Sequence, residues 1–84
     1  MLKFGAIIFA TDKCIQPIEL AVEIESRGLD SFFVPEHTHI PTNTTSPFFP
    51  DGQVPPMYLR TYDPFVVLGA CAAATKNINL GTGI

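Results

Sequence analysis

Residues able to do chemistry are concentrated in one short run, Glu36-His37-Thr38-His39, directly behind the apolar stretch Phe32-Phe33-Val34-Pro35. An imidazole in such a place can transfer protons near neutral pH, and a neighbouring carboxylate can orient it or favour its charged form. The same pair would serve equally well as a polar cap that closes a strand and anchors the loop behind it. His37-x-His39 with Glu36 also has the look of metal ligands. One such pair supplies too few donors for a closed site, however, and a loop without regular alternation need not aim both rings at one ion. No metal site is assigned. Cys14 and Cys71 have neither metal-ligand spacing nor a disulfide framework and read as reduced thiols. Cys71 belongs to an Ala-rich packing surface, and Cys14 has no nearby base to make it a nucleophile. Phe48, Phe49, Met57 and Tyr58 could cover a flat apolar ligand or simply pin their loop to the body of the fold.

The elements that must position these residues follow from hydrophobic period. Leu2–Phe9 is a near-continuous apolar run, as in a strand buried on both faces of a parallel sheet. Pro17 suits a first helical position. Glu19, Glu23, Ser26 and Arg27 make one polar stripe after it, and Gly28 supplies a left-handed stop. Ser31–Pro35 is a second short strand. From Glu36 to Tyr62 five prolines interrupt any period, and a loop this long is usually functional or disordered. Asp63-Pro64 reopens a helix, with Asp63 as N-cap. Phe65–Thr75 is apolar almost all round, so burial on more than one side is expected, with Lys76 in its last turn and Asn77 as a left-handed residue. Residues 78–84 form a third strand.

The order β-α-β-loop-α-β implies parallel strands. Doubly wound sheets and (β/α)₈ barrels both begin this way, and in both, ligands meet the C-terminal ends of strands. No Gly-x-Gly-x-x-Gly follows the first strand, which favours the barrel. The fold class is therefore α/β, the N-terminal part of a (β/α)₈ TIM barrel with about three strands and two helices. The whole chain, 1–84, is one partial domain that stops after strand three, since a full barrel takes about 250 residues. Three strand ends then qualify as ligand sites: Phe9-Ala10-Thr11, Glu36 to His39, and Gly81-Thr82-Gly83-Ile84.

Composition narrows the function. The chain has 84 residues, 46% hydrophobic and 15% charged, with a net charge of −3 and only five Lys and Arg in total. No basic stripe exists to neutralise phosphates, which argues against a nucleic-acid partner. No stretch approaches the roughly 20 apolar residues of a membrane span, and Asp12-Lys13 interrupts any secretion signal. A cytoplasmic protein is expected. So small and greasy a chain is expected to leave apolar faces for further sequence to cover, and to be unstable alone.

Gly28-Leu29-Asp30-Ser31, Val34-Pro35-Glu36-His37-Thr38-His39-Ile40-Pro41, Arg60-Thr61-Tyr62-Asp63-Pro64-Phe65 and the run from Thr75 through Leu80-Gly81-Thr82-Gly83-Ile84 together resemble the luciferase-like flavin and deazaflavin oxidoreductases, across essentially the whole chain. Pro-Glu-His-Thr-His-Ile-Pro is most similar to the branch using the deazaflavin coenzyme F-420. FMN-using relatives often carry Glu-His at the same place. The resemblance implies that Glu36 and His37 are the acidic-His pair beside the coenzyme ring and substrate, in a catalytic role. It implies that Thr82, Gly83 and Ile84 form a bulge against the deazaflavin face, often with a non-prolyl cis peptide. Thr11, at the first strand end, joins them as a cofactor-binding candidate. A homodimer through neighbouring helices is also implied for the full-length protein.

The expected function is thus the N-terminal part of an F-420-dependent oxidoreductase that moves a hydride between coenzyme and an organic substrate. An FMN-dependent monooxygenase of the same fold is the first alternative. A metal-dependent barrel hydrolase built on His37 and His39, or an inactive truncated fragment, are alternatives of other classes.

Overall fold

The computed structural model describes residues 2–37, 39–40 and 53–83. Strand β1 (Gly5–Ile7), helix α1 (Pro17–Ser26), strand β2 (Ser31–Pro35), a 3-10 turn (Pro56–Leu59), helix α2 (Pro64–Ala74) and strand β3 (Asn79–Gly83) follow in that order. The three strands form one sheet, β1-β2-β3, parallel throughout. The register sets Ala6 beside Phe32 and Phe32 beside Leu80, then Val34 beside Thr82. The sheet is knitted at its starting edge by Asp30, whose N–H donates to Phe4 O at 2.8 Å and whose carbonyl accepts from Asn79 N at 3.0 Å.

Both helices lie on one face of this sheet. Ala21 and Ile24 of α1 and Val67 and Cys71 of α2 close over Phe32 and Val34 in a single buried cluster with Ala10. Phe32 is 0% exposed. Side chains alternate across a strand, so the neighbours of these residues point the other way. That opposite face is open: Ile7 is 66% and Phe33 38% exposed. A first strand buried on both sides is therefore not what forms here. Parallel strands carry apolar side chains on both faces because both are normally covered, and within these residues helices cover only one. The same holds for α2, in which Pro64, Val67 and Cys71 make a single buried stripe while Phe65 and Val66 remain exposed.

Helix ends follow the local chemistry. Pro17 begins α1, and Gly28 (φ +85°) ends it: Leu29 N–H donates to Ile24 O and Gly28 N–H to Glu25 O. This is a Schellman pair, which needs a left-handed residue at the glycine position. Asp63 caps α2, its Oδ1 accepting from Val66 N at 2.9 Å. The far end of α2 departs from expectation. The helix stops at Ala74, so Lys76 lies beyond it, and no residue other than glycine among those described takes a positive φ, Asn77 included. The turn is held from outside instead. Glu25 Oε2 accepts from the backbone N–H groups of Lys76, Asn77 and Ile78 at 2.9, 2.7 and 3.0 Å. These N–H groups, that of Asn77 foremost, hold the Glu25 carboxyl below its ordinary range.

Candidate functional site

The parallel arrangement brings the described residues of the three segments singled out above to one edge of the sheet. Continuing the alternation of β2 puts His37 on the side of Phe33, the open face. Phe9 follows Ile7 on the same side. Their rings meet: Phe9 and His37 stack with centroids 5.7 Å apart and planes inclined by 20°. Tyr58, from the 3-10 turn, sets its ring edge-on to both, 4.7 Å from Phe9 and 5.0 Å from His37. His37 is otherwise exposed, and Glu36 is half-buried. No hydrogen bond joins Glu36 to His37 among the described residues, so the imidazole is placed here by aromatic contact.

A strap holds Tyr58 over the sheet edge. Tyr62 N–H donates to Ala10 O at 3.1 Å, and Thr11 and Thr61 form an antiparallel bridge. Arg60 grips both carboxylate oxygens of Asp12; its Nε donates to Oδ1 at 2.7 Å, and Nη2 to Oδ2. The Arg60 guanidinium lowers the Asp12 carboxyl from its ordinary value, and the carboxylate raises the guanidinium in return. Nothing in the sequence pairs Asp12 with Arg60. The only sign of Phe9 as a site residue was its place at the end of a strand.

Thr11 is 5% exposed, and its Oγ1 accepts from Lys13 N at 3.1 Å. Cys14 Sγ donates to Thr11 O at 3.3 Å. Thr11 thus lies beyond β1, which ends at Ile7, in an isolated bridge to Thr61, with its hydroxyl engaged in the turn that follows. Thr82 lies opposite Val34, on the helix-covered face, whereas Gly81 and Gly83 lie opposite Phe33 and Pro35. A Cβ on Gly81 would stand 2.7 Å from Cε1 of Phe33, and one on Gly83 3.2 Å from Cδ1 of Ile7. The end of β3 therefore presents bare backbone to the open face, and the flat ring of Phe33 already lies on it. Ile84, with the peptide bond leading to it, lies outside the described residues, as do Thr38, Phe48 and Phe49; the peptide bonds that are described contain no cis bond.

No group of three or more His, Cys, Asp or Glu is arranged for a metal among the described residues. Cys71 is buried, and burial pushes its thiol up from the ordinary value. No described helix is long and apolar enough to cross a membrane.

A parallel α/β unit with an imidazole and bare glycine backbone at one strand edge is the framework expected of a ligand-binding α/β enzyme. The profile of luciferase-like monooxygenases matches residues 14–84, and the chain belongs to that family. It is 41% identical over 86 aligned positions to uncharacterized proteins of Mycobacterium bovis and of two strains of Mycobacterium tuberculosis, CDC 1551 and H37Rv. The alignments cover 99% of this chain and 30% of each relative, so the chain spans about 30% of the length of the curated proteins it matches. No solved structure gives a significant match.

Proposed function

We propose that this chain is the N-terminal part of a (β/α)₈ barrel oxidoreductase that uses the deazaflavin coenzyme F-420 and an organic substrate. The observation that carries the reading is the His37 ring, held against Phe9 and Tyr58 at the C-terminal edge of a parallel sheet, with the bare backbone of Gly81 and Gly83 on the same open face. The residues present fit such a coenzyme. Phe33 fills the space over Gly81, so a flat ring would lie at Gly83, where no Cβ intervenes and the one neighbour is the end of the Ile7 side chain, and the rim above it is aromatic. Gly83, with Thr82 and Ile84 on either side, would hold the ring through backbone, and His37 would border it. When bound, the coenzyme supplies hydride chemistry that no side chain offers.

The chain's own residues orient and protonate. His37 gives or takes a proton at a ring nitrogen where charge develops, help worth about 10²–10⁴-fold in rate. Glu36, next to it in sequence and half-buried, supports it at the end of the strand. Phe9 and Tyr58 exclude water from one side of the imidazole. The same reading has the full-length protein working in the cytoplasm as a homodimer.

Titration of the full-length protein with F-420 and, in parallel, with FMN tests the proposal. Deazaflavin fluorescence should be quenched on binding, and FMN should bind poorly. Tight FMN binding with no response to F-420 would replace the deazaflavin reading by the monooxygenase one. Binding of neither would remove both.

A further inference from the structure

Tyr58 has no part in the proton transfer described above, yet the turn that carries it is tied down on both sides. Its turn is closed internally, Tyr58 N–H donating to Pro55 O at 3.0 Å and Arg60 N–H to Met57 O at 3.2 Å. The residues immediately after it are fastened twice to the segment just past β1: by the Arg60–Asp12 ion pair and by the Thr11–Thr61 antiparallel bridge, of which the Tyr62 N–H bond to Ala10 O is part. Tyr58 is therefore delivered to one place relative to β1.

His37 is differently supported. Its ring is exposed and makes no hydrogen bond to another described residue. Two rings limit its motion. Phe9 lies nearly parallel to it, at 20°, and such a stack restrains the plane of an imidazole but leaves it free to slide along the face of the partner ring. Tyr58 meets it at 63° with centroids 5.0 Å apart, which blocks one direction of swing. Tyr58 also rests on Phe9 at 65°, so the three rings form a closed set in which moving one displaces the others. Edge-to-face contacts of this kind have a preferred geometry that plain apolar contact lacks.

We infer that Tyr58 is a positioning residue for His37, fixed in place by the Asp12–Arg60 clasp, and that it sets the direction in which the imidazole nitrogens point. The inference rests on the proposed role of His37 for its catalytic consequence, but the placement of the ring can be read without any coenzyme. Small displacements of a proton-transferring group cost up to about 10²-fold in turnover.

The test uses the full-length protein, with His37 ring-proton resonances assigned by loss in His37→Gln. Tyr58→Leu removes the aromatic ring and its ring current; Tyr58→Phe keeps both. Asp12→Asn loosens the clasp without touching any ring. The His37 resonances should move in Tyr58→Leu, return close to their original positions in Tyr58→Phe, and broaden or move in Asp12→Asn. Turnover should fall by up to about 10²-fold in Tyr58→Leu with F-420 affinity unchanged, and Tyr58→Phe should restore it. Unmoved His37 resonances in Tyr58→Leu would overturn the inference, as would moved resonances with full turnover. If the unaltered protein takes up no deazaflavin, the proposed function fails, and the resonances still decide whether Tyr58 places the ring.

Discussion

Two adjacent phenylalanines offer the sharpest test of which face of the sheet is covered. Phe32 is 0% exposed beneath both helices, and Phe33, the next residue, is 38% exposed on the open face. Phe32→Ala loses the full transfer term and leaves a cavity that the helices cannot fill, at a cost of about 3–5 kcal/mol. For Phe33→Ala the transfer term is reduced by partial exposure to roughly 1–2 kcal/mol, and a site open to solvent leaves almost no cavity. The gap of about 2 kcal/mol is roughly a 30-fold difference in the folding equilibrium. Urea denaturation followed by far-UV circular dichroism measures it, provided the slope of the transition is unchanged between variants. In a longer protein whose further strands cover the open face, Phe33→Ala should become nearly as costly as Phe32→Ala. Equal costs in the 84-residue chain would refute the reasoning, because a slip of one residue in register exchanges the two faces.

His37→Ala in the full-length enzyme should lower turnover by about 10²–10⁴-fold with most coenzyme affinity retained, measured by steady-state kinetics and fluorescence titration. Glu36→Gln should cost less turnover in the same assays, because no hydrogen bond ties Glu36 to the imidazole among the described residues. The Glu25 carboxyl titrates below its ordinary value near 4.5, so its stabilising effect is complete above that pH and is lost as the pH falls through the lower folded value. Glu25→Gln should therefore flatten the acid limb of a plot of unfolding midpoint against pH. Asp63→Ala, which removes the cap on Val66 N–H, should cost about 1 kcal/mol in the same urea assay.

The elements were legible in the sequence wherever local chemistry alone decides them. Pro17 and Gly28 bound α1, Asp63-Pro64 opens α2, and Ser31–Pro35 is a strand because each signal acts within a few residues. The turn after α2 was misread for the opposite reason. Lys76 and Asn77 carry the signals of a helix end, but the carboxylate that organises them, Glu25, stands on another helix about fifty positions earlier, and local patterning contains no trace of that pairing. Continuous apolar runs in β1 and α2 likewise announce burial without saying what performs it. Among the described residues only one side of each is covered.

The candidate site divides along the same line. That Glu36 and His37 end a buried strand is a local fact, and it sufficed to single them out. What holds the imidazole is not local: Phe9 comes from the segment just past β1, and Tyr58 arrives from a proline-rich segment with no period of its own. The ion pair between Asp12 and Arg60 that fixes this segment joins two exposed residues of ordinary type. An exposed pair adds little to stability as a rule, so its worth here lies in geometry, because the polypeptide it fastens carries the ring that faces His37. A search confined to polar residues near His37 would have passed over the contacts that aim it.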